Sequence, residues 1–424
     1  MRKSAGGAGE EPERSARGRR RLAASTLALV VVACTGGQGE SATDTATTAT
    51  ATATTTATVT TGTTATSGTT DDSTTDSATA TATSASTSGS TTTTSTTSAT
   101  ATTTASESES GTTEDPPGNG CGGAEGRFFP DEAVWYQDVS AWPLDAESDA
   151  VITWLNDQGW GTGEMRIDFS IEVLESDADT ELRSFEPTGD FYTPDCDLQE
   201  VPVPAGGQLE GEDGYECLSD GDCHLIVVHP TTCELFEMWR ANIVGGTFYG
   251  GCLAVWDMSR VYGPKGRGEQ CTSADAAGYP IAPLLFTADE VAAGSVDHAI
   301  RFILPNARIR SGEYVHPATH GTPAASGPPQ APPYGARLRL RADYPLETLP
   351  NEGARTVAKA MQRYGIVLAD GGNIALTAQS DNHTVNTWDG LLGTHDLTDL
   401  TPGDFEMVDG GERIDLTLDC VREP

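Results

Sequence analysis

"MRIDFSIEV" (residues 165–173) decides the fold class. Ile167, Phe169, Ile171 and Val173 face one way, and Arg166, Asp168, Ser170 and Glu172 face the other. A period of two is the signature of a strand with one buried and one wetted face. The pattern recurs in "ARLRLRADY" (336–344), where Leu338, Leu340 and Ala342 oppose Arg337, Arg339 and Arg341. It recurs again in "ERIDLTLDC" (412–420), where Ile414, Leu416, Leu418 and Cys420 oppose Arg413, Asp415, Thr417 and Asp419. The runs "HLIVV", "GCLAVW", "AIRFIL" and "GIVLA" read as more deeply buried strands, and Gly and Pro punctuate throughout. The expectation is a mainly β, antiparallel sandwich or jelly-roll-like domain. Two helices interrupt it. One spans 148–159, with Ser148 as cap and Gly159 as stop. The other spans 351–365, with Ala354, Val357, Met361 and Tyr364 on its packed face.

Before this domain the composition changes twice. Arg14, Arg17, Arg19, Arg20 and Arg21 precede a short apolar run, Leu22 to Ala33, too short to span a bilayer. The run ends in "VVAC", which resembles the lipobox of bacterial lipoproteins, in which the cysteine, here Cys34, is acylated and becomes the new N-terminus. Residues 1–33 are therefore expected to be a lipoprotein signal peptide. Residues 34–114 are almost entirely Thr, Ser and Ala, cannot bury a core, and are expected to form a disordered stalk. Residues 115–424 remain as the ectodomain. By the same resemblance, Thr35 after the cysteine implies retention in the outer membrane, at the cell surface.

The chain carries 25 basic and 62 acidic residues, net −37, and the seven basic and three acidic residues before Cys34 leave the remainder near −41. Such a surface repels nucleic acid and anionic headgroups, so the membrane link is the lipid. No G-x-G-x-x-G and no P-loop occur, which argues against nucleotide chemistry. Apart from Cys34 there are eight cysteines: Cys121, Cys196, Cys217, Cys223, Cys233, Cys252, Cys271 and Cys420. An even number in an exported domain, with no C-x-x-C pair to suggest zinc, points to four disulfides of undetermined pairing.

Candidate chemistry centres on "DGDCHLIVV" (220–228) and "CELFEMW" (233–239). If "HPTT" is an even-length turn, Val228 pairs with Cys233, His224 with Glu237 and Asp222 with Trp239. Imidazole beside carboxylate suits a general base, although a structural His–Glu pair has the same pattern. A turn at Gly245-Gly246 would further pair Glu234 with Asp257, two carboxylates close enough for glycoside hydrolysis. His224, Glu237 and Asp257 are thus the catalytic candidates, and Asp222, His316 and His320 the binding ones.

His316 and His320 have H-x-x-x-H spacing, but Pro317 opposes the helix a zinc site would need, and a long Pro-rich loop follows. No metal or cofactor is expected; "DGGN" (370–373) is only a weak calcium-turn signal. Arg337, Arg339 and Arg341 could grip an acidic polysaccharide, or pair with acids such as Asp415 and Asp419. Trp154, Trp160, Trp239, Trp256 and Trp388 include possible sugar platforms, with most expected in the core. Ser273, in "CTSADAAG", lacks a nucleophile elbow and reads as a helix cap.

The segments "DGDCHLIVV", "ELFEMWRA", "LAVWD", "CTSADAAGYPIAP", "DHAIRF", "PPYGARLRL" and "QRYGIVLADGG", across most of residues 165–410, resemble a family of exported bacterial proteins without an established activity. The resemblance implies no catalytic residue. It singles out Asp222, His224, Glu237, Asp257, Asp275, His298 and Asp370, which stand within those motifs. The sequence thus leads to two expectations. One is a surface-anchored carbohydrate-active domain, acting as a glycoside hydrolase or polysaccharide lyase on extracellular polysaccharide. The other is a non-catalytic glycan- or protein-binding or structural envelope protein.

Overall fold

The alternating segments do form strands, but not one antiparallel sandwich. The computed structural model describes residues 120–219 and 221–423, so the expected signal segment, Cys34, the expected stalk and residues 115–119 lie outside the described residues. Strands predominate over three α-helices: α1 (Ser148–Gln158), α2 (Ala288–Ala293) and α3 (Glu352–Arg363).

The larger sheet has six strands: β1 (Ile167–Ile171), β6 (Ile300–Leu304), β7 (Arg337–Leu340), β8 (Ile366–Gly371), β9 (Leu376–Gln379) and β10 (Phe405–Met407). Their spatial order is β1-β9-β6-β8-β7-β10. It is a mixed sheet, because β1/β9 and β6/β8 run parallel while the other neighbours are antiparallel. This corrects the expectation of an antiparallel domain. The strands β6 and β8 are separated in sequence by β7 and α3, which is the length a parallel connection requires.

The second sheet runs β5-β4-β3-β2, from β2 (Leu174–Glu175), β3 (Leu225–His229), β4 (Glu234–Trp239) and β5 (Cys252–Asp257). Both its faces are buried. Ile226, Leu235, Ala254 and Trp256 join the main core, and Leu225, Val227, Phe236, Met238 and Leu253 join a smaller cluster with Phe185, Val201 and Phe248. Apolar side chains on both faces explain why "HLIVV" and "ELFEMW" read as continuous rather than alternating runs.

The helices start and stop close to where capping chemistry placed them. Asn351 accepts from the Ala354 amide at the start of α3, and Gly159 follows α1. The cap of α1 is Glu147 instead of Ser148, whose hydroxyl accepts the Met407 amide. The sequence reading missed α2, although Thr287 and Glu290 spell a complete capping box around it.

Two expected strand faces need correction. Arg337 and Arg339 are buried instead of wetted: Arg337 donates to the carbonyls of Tyr364, Val134 and Gln137, and Arg339 pairs with Glu406 on the neighbouring β10. Only Arg341 stays partly exposed, so the row neither grips a polysaccharide nor pairs with Asp415 and Asp419. In "ERIDLTLDC" only Ile414–Asp415 is strand, because Leu418 takes a left-handed φ of 64°.

Four disulfides use all eight cysteines among the described residues: Cys121–Cys233, Cys196–Cys252, Cys217–Cys223 and Cys271–Cys420. They place the domain in an oxidising compartment outside the cytoplasm. Among the described residues no helix is long and apolar enough to cross a membrane.

Candidate functional site

The β3–β4 register sets which side chains meet. It lies two residues from the expected one: Val228 pairs with Leu235 and Ile226 with Glu237. Cys233 adopts a left-handed φ of 56° and is tied to Cys121, so it belongs to the turn instead of the ladder. A slip of two preserves faces. His224 and Glu237 therefore share a face, but they are not partners.

Glu237 is a structural brace. It is fully buried, with Oε1 accepting the amides of Ile281 and Ala282 (both 2.8 Å) and Oε2 accepting the Trp256 indole N–H (3.1 Å). Burial pushes its carboxyl up to about 7, against the pull of those bonds. Its oxygens are occupied, which corrects its place as a catalytic candidate. Asp257 does pair with Glu234 in the β4–β5 ladder, and Val244 with Thr247 across the Gly245-Gly246 turn. Yet the Asp257 carboxylate is spent on the amide and hydroxyl of Ser259, at an exposed strand end.

The partner of His224 is Glu210. Nδ1 lies 2.6 Å from Glu210 Oε2, and Nε2 lies 3.2 Å from the Ala274 carbonyl. Both partners are acceptors, so both ring nitrogens must donate, and the ring is an imidazolium. Burial opposes that charge, but attraction and hydrogen bonding from Glu210 outweigh it and lift the pKa to about 9. His224 is consequently a fixed cation and not a general base at neutral pH.

Segment 271–279, "CTSADAAGY", crosses between the two sheets. Cys271 anchors it to Cys420, the Thr272 amide donates to Asp195, and the Ala277 amide donates to Ala369 on β8. Ser273 is neither a nucleophile nor a helix cap. Its hydroxyl accepts from the Asp275 amide and donates to the Tyr279 carbonyl (2.6 Å), closing a tight turn. Gly278 has a φ of +79°, and a Cβ there would sit 2.1 Å from Thr319 Oγ1 and 2.7 Å from the Cys271 carbonyl. Only glycine fits that crossing.

This segment places Asp275 inside the molecule against Arg301 of β6. Arg301 Nη2 donates to Asp275 Oδ1 (2.6 Å), and Nη1 donates to Thr377 Oγ1 on β9 (2.8 Å). The same Nη2 lies 4.0 Å from Oδ2 of Asp370, at the C-terminal end of β8. Two carboxyls thus share one guanidinium. Asp370 also accepts the amides of Gly371 and Ala276 and keeps 29% of its side chain exposed. Asp275 is fully buried, and its Oδ2 has no hydrogen-bond partner. Burial raises the Asp275 carboxyl to about 7; Arg301 opposes the rise and the negative charge of Asp370 adds to it. Burial also raises Asp370.

Both residues line a cavity of about 610 Å³, with the Asp275 side chain itself fully covered. Asp195, Asp222 and His320 share its wall with three aromatic residues, Phe191, Tyr192 and Trp239. The Trp239 indole is fixed by donating to the Asp222 carboxylate, the one contact of the expected register that survives. His320 donates from Nδ1 to the Ala276 carbonyl (2.9 Å), and burial lowers its pKa, so Nε2 is left as an acceptor. His316 is separate: it contacts Glu269, together with Tyr314, outside the cavity wall. Of the tryptophans, Trp160, Trp256 and Trp388 are core and Trp154 is half-buried; only Trp239 reaches the cavity. His298 is tied to Glu290 and the Ala299 carbonyl, away from the cavity.

The structure therefore gathers Asp222, Asp275, Asp370 and His320 around one cavity, with His224 held behind the Ala274 carbonyl, and leaves Glu237, Asp257, His298 and His316 elsewhere. Arg301 and Glu210 were missed. A lone arginine inside "AIRFIL" was the available signal, since a charge in a buried strand requires a counter-charge. Among the described residues the one close group of possible metal ligands is Glu212, Cys217 and Cys223, whose two sulfurs are bonded to each other. Comparison with family models, with curated proteins and with solved structures returns no match for this chain.

Proposed function

We propose that the ectodomain is a carbohydrate-active hydrolase, held outside the cell by a lipid on Cys34 and a Thr/Ser-rich stalk. One observation carries the reading. A buried carboxyl with a free oxygen, Asp275, stands beside a second, partly exposed carboxyl, Asp370, on a cavity with an aromatic wall. Two neighbouring carboxyls with different exposure divide the roles of acid and base. Asp275, whose pKa is lifted to about 7, keeps its proton and delivers it to the departing glycosidic oxygen. Asp370, the more exposed, acts as the carboxylate that assists attack on the sugar carbon. Water is added across the broken C–O bond, its proton replacing the one Asp275 gave up. Arg301 holds the two carboxyls in place and, bonded to Asp275 and Thr377, does not leave them. Trp239, pinned by Asp222 and with the Arg240 guanidinium over one face of its indole, is the aromatic surface a sugar ring would meet in the cavity.

A second reading, glycan binding without turnover, rests on that pinned indole and the exposed Tyr192. Both are tested by incubating the full chain with a panel of polysaccharides and scoring retention and reducing-end release. Turnover abolished by Asp275→Asn and Asp370→Asn supports the hydrolase. Retention without products in wild type supports the binding module, and neither result on any glycan refutes both.

A further inference from the structure

The cavity wall is chemically one-sided. Its titratable side chains are Asp195, Asp222, Asp275, Asp370, Tyr192 and His320, and among the described residues no lysine or arginine lines it. Arg301 lies behind the wall, committed to Asp275. His320 offers an acceptor nitrogen, because its other nitrogen is spent on the Ala276 carbonyl. Asp275 adds a second, independent feature: a fully buried side chain on the cavity with an oxygen that no group in the protein satisfies. Such an atom costs stability unless a ligand completes it.

We propose that the cavity selects a glycan bearing free amines, a hexosamine polymer or oligomer, in preference to neutral or uronic-acid glycans. The inference rests on the hydrolase reading of the same cavity and names its substrate class. A donor-rich, cationic sugar matches a wall of acceptors, with its ammonium drawn to Asp222 and Asp195 and a hydroxyl or amine reaching Asp275 Oδ2. A uronate would bring a carboxylate against Asp195, Asp222 and Asp370, and among the described residues no lysine or arginine lines the cavity to receive it; like charges brought together select against a ligand.

The geometry also supplies clean variants. Asp222 accepts from the Trp239 indole, and Asp195 accepts from the Thr272 amide (2.9 Å). An asparagine oxygen can accept the same two bonds. Asp222→Asn and Asp195→Asn therefore remove charge while keeping the wall.

The test measures binding and turnover of three probes by the full chain: fully deacetylated chitosan oligomers, their N-acetylated counterparts, and oligogalacturonate. The pH is kept below the amine pKa. Deacetylated oligomers should bind at least about tenfold more tightly than acetylated ones, with the preference falling as salt rises. The double variant should erase most of that preference by weakening the deacetylated oligomers far more than the acetylated ones. Equal affinity for both oligomers, or a preference untouched by the double variant, overturns the amine inference and leaves the hydrolase reading standing if products appear. Oligogalacturonate as the best ligand overturns it as well. No binding or turnover of any probe or of the wider polysaccharide panel removes both.

Discussion

Replacing Glu237 with Gln separates a structural carboxyl from a catalytic one through the pH dependence of stability. The carboxyl has an ordinary value of 4.5 and is raised to about 7 in the fold, chiefly by burial. A raised carboxyl pKa means that the native state binds more protons than the unfolded one between those values. Its stabilising contribution is therefore present below about 4.5 and is lost as pH rises through about 7. The shift corresponds to about 3 kcal/mol, of which about 2.5 kcal/mol falls between about pH 5 and about pH 8. Glutamine escapes this loss because it does not ionise. Its oxygen can serve the amides of Ile281 and Ala282, but its amide then faces the Trp256 indole N–H, donor against donor. That mismatch costs about 1–2 kcal/mol at any pH. Glu237→Gln should thus be less stable than wild type at about pH 5, and equal to it or more stable by about 1 kcal/mol at about pH 8. Paired urea unfolding curves at the two pH values measure the difference, and groups common to both proteins cancel. A stability difference that stays constant between the two would refute the assignment of a buried, proton-retaining brace. Glycan turnover, where it occurs, should survive the substitution.

Four further outcomes follow from the site and its supports. Asp275→Asn should abolish turnover, and because the Asp275 carboxyl is raised to about 7, wild-type activity should fall as pH rises through that value; a rate flat across that limb counts against its role as acid. His224, lifted to about 9, should remain an imidazolium at about pH 8 by ring-nitrogen NMR shifts, and Glu210→Gln should lower its pKa by more than one unit; a neutral ring in wild type would contradict the pairing. Cys420→Ser should lower stability by about 3–5 kcal/mol, read by denaturant midpoint, whereas an unchanged midpoint would mean that the Cys271–Cys420 bond does not bear on the fold. Cys34→Ser should shift the protein from the membrane fraction to the soluble one; continued membrane association would refute the lipid anchor.

The sequence disclosed local periodicities better than it disclosed their assembly. Period two in "MRIDFSIEV" located β1, and capping residues located α1 and α3, because those signals depend on neighbours in the chain. The parallel pairing of β6 with β8 was hidden, since apolar runs buried on both faces carry no orientation. The Gly245-Gly246 hairpin was legible because both glycines take positive φ, 60° and 87°, as a two-residue turn demands. The turn before β4 was not, because Cys233 left the ladder for a disulfide with Cys121, distant in sequence. Burial of Arg337 and Arg339 was equally hidden: carbonyls of residues 134–142 cover them, and nothing in an alternating strand announces what will cover its polar face.

The site shows the same division, and its dependence on long-range ties bears on where the protein can work. Four of the ties that hold segment 271–279 run to residues far apart in sequence: Cys420, Asp195, His224 and Arg301. It contains no helix or strand of its own, so these ties fix the position of Asp275. Three are hydrogen bonds or ion pairs, whose net contribution is about 1–3 kcal/mol each. The fourth is a disulfide that spans 149 residues, and it restricts the unfolded chain as well as the folded loop. In a reducing compartment that tie would be missing, and the tail bearing Leu418, part of the cavity wall, would be held only by its non-covalent bonds, among them Leu418 to Gln270 and Arg422 to Asp197. Export therefore does more than deliver the domain to its location: oxidation after export completes the cavity wall and fixes the loop that carries Asp275.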